Sequence, residues 1–334
     1  MPDSTRIEQY SAAINRLCHW IERHRQSDAS WSRPSSSAGY FSLAPLANQI
    51  GRRDWSHAAL ALVQNTMVDG GVLRQASARD SYIAYVPCWF IWGAAEAGCV
   101  RLGNRLIDFV LGLQCRDTGG LFGFIADRDQ QRGALSFDAT AMGAIAFARA
   151  GRVEACSRVG DFFVRMLHEQ PQPDRVFHTD VRQPGGLAID DPAPNSALWW
   201  DQPKQHYYKM GLFVVALIET YAVTGTEQYL ETAVKAYDLA TDRAVDLWTN
   251  TLSHKMCWAA ARLHAATDDR RYAEDACRYA DHFLTLQQED GAFHYPELWP
   301  EYPPEAWESL PNMGCQLGLW LALTRDALRA SGGE

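Results

Sequence analysis

The sequence predicts an all-α chain folded as a closed (α/α)6 barrel: one domain of six helical hairpins, with a ring of sparsely charged helices inside a ring of amphipathic ones. Three observations carry this expectation: an alternation of wet and dry helices, the absence of solenoid regularity, and a systematic asymmetry of the connecting loops. The alternation begins at "IEQYSAAINRLCHWIERH", where Ile7, Tyr10, Ile14, Leu17 and Ile21 recur at helical spacing with charges on the opposite side. "SAGYFSLAPLANQIG" follows as a second helix with far less charge. Further amphipathic helices are expected near 53–66, 100–115, 152–168, 227–243 and 270–287. Each is followed by a dry one, near 80–98, 136–150, 205–223, 253–266 and 310–327. A helix that is apolar around most of its circumference is buried on both sides, so the dry set belongs inside. The hairpins span approximately 5–51, 52–98, 99–150, 151–223, 226–266 and 269–327.

The repeats are too unequal for a stacked solenoid, and no terminal repeat has the polar face of an end cap. Connections from a dry helix to the next wet one are short ("IGRRDW", "AGCVRLGN", "RAGRVEA", "VTGTEQY", "ATDDRRY") and carry helix stops, several of them glycine. Connections in the other direction are long, at 67–79, 116–135, 169–204, 244–252 and 288–309. Long loops therefore gather at one end of the barrel, which is where a site is expected.

Three of those loops share a pattern: "VQNTMVDGGVLR", "LQCRDTGGLFGF" and "LQQEDGAFHY". Glutamine at a helix end leads into an Asp-Gly or Gly-Gly turn and then an apolar residue that plugs back between helices. In these Gln…Asp-Gly…aromatic signatures the chain resembles the α/α-toroid proteins, among them squalene–hopene cyclases, protein prenyltransferase β subunits and the prenyltransferase/squalene-oxidase repeat. A competing resemblance lies in "HYYKMGLFVVALIETYAVTGTEQYLETA" and "SHKMCWAAARLHAATDDRRYAEDACRYADHFL". These segments look like six-hairpin carbohydrate enzymes, notably unsaturated glucuronyl hydrolases and sugar epimerases. Both resemblances imply the fold more than the chemistry.

The first turn of each dry helix points to the long-loop end, and these turns supply the candidate site. In order they are Tyr40; Asp80, Tyr82 and Tyr85; Asp138; Gln205, His206, Tyr207 and Lys209; His254 and Lys255, with Trp258 a turn later; and Asn312 and Cys315. Asp80 and Asp138 are candidate proton donors or acceptors, with His206 or His254 as second partner. Either aspartate also stands where helix N-caps stand, so capping is the plain alternative. The tyrosines, Gln205, Trp258 and Asn312 are placed as substrate-binding wall. Lys209 and Lys255 are placed as holders of a carboxylate, phosphate or carbonyl oxygen, because an unpaired buried ammonium is costly. Their plain alternative is pairing with carboxylates such as Asp201 and Glu219.

Composition removes other classes. Net charge −9 and the lack of a basic run argue against a nucleic-acid partner. No segment is apolar for the roughly 20 residues a membrane span needs, and "MPDSTRIEQY" lacks a signal-peptide pattern, so a cytoplasmic protein is expected. Eight scattered cysteines are expected to be reduced. DxDD, DDxxD, HExxH, zinc-ligand spacing, a Gly-x-Gly-x-x-Gly turn and Gly-x-Ser-x-Gly are all missing from the sequence. Asp190–Asp191 lies in a Pro-rich loop without a third carboxylate, so neither metal nor cofactor is expected. The leading functional expectation is a cofactor-independent enzyme of acid–base cyclisation, isomerisation or elimination on a largely apolar, terpenoid- or polyketide-like small molecule in natural-product metabolism. The alternatives are a hydrolase or epimerase of acidic sugars using Asp138 and Asp80, and a non-catalytic binding toroid. Oligomeric state is left open.

Overall fold

A computed structural model of the chain describes residues 4–32, 39–69, 72–73, 83–190, 195–295 and 310–331. Six helix pairs follow one another: α1 (Ser4–His24) with α2 (Leu43–Gln49), α3 (Arg53–Leu62) with α4 (Tyr85–Ala97), and α5 (Val100–Gly112) with α7 (Phe137–Arg149), the short α6 (Ile125–Gln130) intervening. Then come α8 (Val153–His168) with α9 (Tyr208–Thr224), α10 (Glu227–Arg243) with α11 (His254–Thr267), and α12 (Arg270–Leu286) with α13 (Leu310–Ser331). The first member of each pair buries one stripe. In α8, for example, Ala155, Cys156, Val159, Phe162, Phe163 and Met166 are buried while the charges face out. The second member is buried all round, as in α4 from Tyr85 to Ala94 and α9 from Lys209 to Thr220.

The inner ring closes. α2 packs on α4, α4 on α7, α7 on α9, α9 on α11, α11 on α13, and α13 returns to α2. Across the same seam Tyr10 Oη of α1 donates to Asp281 Oδ1 of α12 at 2.7 Å. This is an all-α toroid of two concentric rings.

Every short connection places one residue in the left-handed region: Gly51, Gly98, Gly151, Gly225 and, at the fifth, Asp268. Glycine adopts that conformation without strain. The Gln…Gly turns do a different job. Gln114 Nε2 donates to Gly119 O (2.9 Å) and to Ala155 O of α8 (3.0 Å). Gln287 Nε2 donates to Gly291 O (3.1 Å) and to Ala13 O of α1 (2.9 Å). A Cβ on Gly119 would run into the Arg158 carbonyl, and one on Gly291 into the Arg16 carbonyl. The two turns thus clamp the next outer helix at equivalent points, and the second one joins the end of the chain to its beginning. The glycines of the third copy, Gly70 and Gly71, lie outside the described residues.

The long-loop end carries short strands that helical periodicity does not announce. β1 (Val68–Asp69) pairs with β2 (Val72–Leu73). β3 (Gly133–Leu135) pairs with β5 (Val181–Gln183), and β4 (Val176–His178) with a later strand, Ala197–Trp199. β6 (Gly186–Leu187) adds to β5, and Ala197–Trp199 is β7. The described residues of the 169–207 insertion between α8 and α9 thus include short paired strands. All eight cysteines are free. No described helix is long and apolar enough to cross a membrane.

Candidate functional site

Asp138 stands in the first turn of α7, but it does not cap the helix. Ser136 is the cap, its Oγ accepting from Ala139 N at 3.3 Å. The capping alternative for Asp138 is thereby corrected: the serine two residues earlier has the extended backbone that a cap requires. Asp138 is left with Oδ2 accepting from Tyr208 Oη at 3.4 Å and a buried Oδ1 that has no hydrogen bond.

Tyr208 opens α9, which starts later than the expected 205, so Lys204 to His206 belong to the loop. Lys204 is exposed, and its amide donates to Asp246 Oδ2 at 2.7 Å. Tyr207 turns away from the cluster. Its ring stacks on Trp200 (6.2 Å, 12°), and its hydroxyl donates to Gln202 O at 3.2 Å. A step of one residue rotates about 100° round a helix, so Tyr208 rather than Tyr207 faces Asp138. His206 lies with its ring 5.6 Å from that of Tyr208. Burial lowers its pKa, Lys209 lowers it further, and Asp138 acts the other way.

Opposite Tyr208 is the first turn of α11. Gly211 permits this approach: a Cβ there would meet the Lys255 carbonyl group. The Asn250 side chain accepts from Leu252 N (2.9 Å) and donates to Gln205 O (2.9 Å), which ties the α9 and α11 entry loops together. His254 Nδ1 accepts the Trp320 indole N–H at 3.1 Å. A neutral ring there carries its proton on Nε2. Burial, and then Lys255, hold the His254 pKa well below its usual range.

The two buried lysines differ in their partners. Lys209 Nζ donates to Thr179 Oγ1 (3.1 Å) and Asn195 O (2.7 Å), fastening the insertion to α9. Lys255 Nζ has no hydrogen bond and no ion pair among the described residues. It sits over the rings of Tyr208 (4.6 Å) and Tyr85 (5.6 Å). Burial lowers its pKa to about 8, against the opposing pull of Asp138. The expected carboxylate partners are engaged elsewhere or exposed: Glu219 pairs with Arg262 (2.9 Å) and Arg149 (3.6 Å), and Asp201 is exposed.

Asp138, His206, Tyr208, His254, Lys255 and Tyr85 thus come together, with Lys209 behind them. Other candidates serve the framework. Tyr40 Oη accepts from Trp31 N at 3.0 Å, and Asn312 Oδ1 accepts the Ser42 hydroxyl, linking α13 to α2. Gln205 Oε1 accepts from Trp199 N at 3.2 Å. Asp80, Tyr82 and Asp191 lie outside the described residues. Among the described residues no three metal-ligating side chains form a group that could hold an ion.

Trp258 belongs to the floor. It stacks on Trp92 (5.1 Å, 11°) and on Trp320 (4.6 Å, 13°), and Trp89 stacks on Trp92 at 5.4 Å. α4 and α11 are opposite each other in the inner ring, with two helices between them in either direction. The Trp92–Trp258 contact therefore crosses the barrel axis. Tryptophan fills the bore below the polar cluster.

No family model and no curated sequence matches this chain. Its fold is similar to that of an α-mannanase of glycoside hydrolase family 76 from Bacteroides thetaiotaomicron, at 11% identity and TM-score 0.65, covering 96% of this chain and 97% of that one. It is also similar to a D-mannose isomerase, at 14% identity and TM-score 0.64, covering 94% and 96%. A type II terpene cyclase from Scytonema matches at 13% identity and TM-score 0.60, covering 98% and 99%. Both resemblances legible in the sequence, to terpenoid-cyclase toroids and to six-hairpin carbohydrate enzymes, are present among these folds. At such identities they establish the α/α toroid and no chemistry, since one scaffold carries all three named activities.

Proposed function

We propose that this chain is an enzyme that moves protons on a small, oxygen-rich substrate held at the long-loop mouth, isomerising, epimerising or eliminating at a carbon next to a carbonyl. The observation that carries the reading is the Asp138 carboxylate. It is excused from capping by Ser136, has one buried oxygen without a partner, and lies against Tyr208. A half-buried carboxylate with one buried oxygen free to accept is suited to proton abstraction. Tyr208 relays or returns the proton, neutral His206 and His254 stand beside it, and Lys255 holds the oxygen on which charge develops.

The tryptophan-filled bore bears on the substrate. A long apolar chain, as in terpenoid cyclisation, needs a deep hollow along the axis, where Trp92 and Trp258 are in contact. A polar substrate needs only the rim. Isomerisation of a sugar-sized carbonyl compound, the activity named for the D-mannose isomerase of like fold, suits a carboxylate, a tyrosine and an amine on an aromatic floor. Cyclisation of an apolar substrate is the second reading, supported by the aromatic wall alone.

The test is solvent exchange. Aldoses, ketoses and uronic acids are incubated with the protein in D2O and followed by proton NMR. Loss of one carbon-bound proton signal from a substrate, abolished in Asp138→Asn, is the expected result. Release of reducing ends from oligosaccharides without exchange, or conversion of a polyprenyl substrate, would replace this reading with hydrolysis or cyclisation.

A further inference from the structure

We propose that Lys255 acts covalently: its Nζ condenses with a substrate aldehyde or ketone to form an imine, and the Asp138–Tyr208 pair handles the protons. This rests on the acid–base reading above and narrows the substrate class to free carbonyl compounds. The first argument is residue usage. Only four of the 31 basic residues are lysines: Lys204, Lys209, Lys235 and Lys255. Arginine supplies charge almost everywhere else, including the pairs that Arg149 and Arg262 make with the buried Glu219. Arginine remains protonated at any working pH and is no nucleophile, whereas lysine can lose its proton in a buried setting. Lys204 and Lys235 are exposed, so the two buried amines are the exceptions to explain. Lys209 is explained by its bonds to Thr179 and Asn195.

Lys255 has no such explanation. Nothing described accepts a hydrogen bond from its amine, which burial holds near neutrality in the alkaline range, at about 8. Desolvation without a fixed partner is the setting of imine-forming lysines. The surroundings suit the product as well as the reactant. The faces of Tyr208 and Tyr85 that carry an ammonium can carry an iminium at the same place.

The steps balance. Lys255 ammonium gives one proton to Asp138. The free amine attacks the carbonyl carbon, forming the N–C bond as the carbonyl π electrons move to oxygen. That oxygen takes a proton from the attacking nitrogen, giving a carbinolamine. Asp138 returns its proton to the hydroxyl, which leaves as water, and the nitrogen lone pair forms the iminium. One positive charge enters and one remains. The iminium then acidifies the adjacent C–H bond, which Asp138 is placed to break.

The test is reductive trapping on the full chain. The protein is incubated at pH 7 with glycolaldehyde, dihydroxyacetone or pyruvate in turn, reduced with cyanoborohydride, and mapped by peptide mass. Lys255 should carry the adduct from at least one probe at least about tenfold faster than exposed Lys204 and Lys235, because it holds far more free amine at that pH. Lys255→Arg, which keeps the charge but not the nucleophile, should lose both the adduct and turnover. Labelling that follows exposure and spares Lys255 with all three probes overturns the proposal, as does turnover retained in Lys255→Arg. If solvent exchange persists without trapping, the acid–base reading stands and only the covalent step falls. If neither occurs, both fall.

Discussion

Two sides of the mouth each present a buried lysine, and only one of them has been given something to hold. On the α9 side, Lys209 is a structural tie whose two hydrogen bonds pin the insertion to the inner ring. On the α11 side, Lys255 faces two tyrosine rings and the field of Asp138, with no hydrogen bond from its amine among the described residues. The difference is instructive because burial alone does not mark function: both amines have lowered pKa values from desolvation. What separates them is whether the neighbours satisfy the group. A buried polar group without a partner is destabilising, and the fold retains that cost beside a carboxylate with one unpartnered oxygen.

The largest expected effect tests the carboxylate side of this contrast. Asp138→Asn should lower kcat by about 10²- to 10⁴-fold with little change in Tm, since Ser136 does the capping. Ser136→Ala should do the reverse, costing about 1 kcal/mol of stability and leaving kcat within a few-fold. Steady-state kinetics and thermal melts on both variants check the pair, and equal damage to both properties in both variants would erase the distinction.

The next effect is the pH dependence of stability. Lys255 titrates near 10.5 when unfolded and near 8 when folded. Between those values the unfolded chain binds a proton that the folded chain does not, so stability rises with pH across that window. Below about pH 8 the penalty is fully present, on the order of 3 kcal/mol. Urea unfolding of wild type and Lys255→Met should therefore show the variant as the more stable at pH 7, with the gap shrinking toward pH 10. A gap of opposite sign would mean that Lys255 has a partner after all.

Lys209→Met sharpens the comparison from the other side. Removing a donor from Thr179 and Asn195 should cost about 1–3 kcal/mol and expose the insertion to limited proteolysis, with a smaller loss of turnover than Lys255→Met. The smallest effect lies away from the mouth: Gln287→Ala should cost about 1 kcal/mol through the lost clamp on Ala13, with kcat unchanged.

Much of the toroid could be read from the sequence because ring position is a composition signal. Outer helices need one wet stripe and inner helices need none, so α4, α9 and α11 declare themselves by their lack of charge. The left-handed turns and the Gln…Gly clamps are legible for a similar reason, since one local geometry admits few residue types. The site was legible only to the level of helical turns. Asp138, His254 and Lys255 stand on first helical turns as expected and His206 in the loop just before one, but a helix's phase depends on where it begins. α9 begins at Tyr208, and that one fact puts Tyr208 in the cluster and Tyr207 on Trp200. Tyr40 and Asn312 stand at correct helix starts yet spend their polar atoms on Trp31 and Ser42. The β-structured insertion was invisible because its strands are two or three residues long and most of their pairings reach far in sequence, β3 to β5 and β4 to β7.

The most direct test of the Lys255 assignment follows from the chain having only four lysines. Lysine labelled with ¹³C at the ε position gives four resolvable signals whose pH titrations can be followed in the intact protein. One signal, missing in Lys255→Met, should titrate with a midpoint near 8 and move lower in Asp138→Asn, where the favourable charge is gone. If all four lysines titrate at or above the ordinary lysine value, Lys255 is an ordinary ammonium, and the contrast between the two sides of the mouth is wrong.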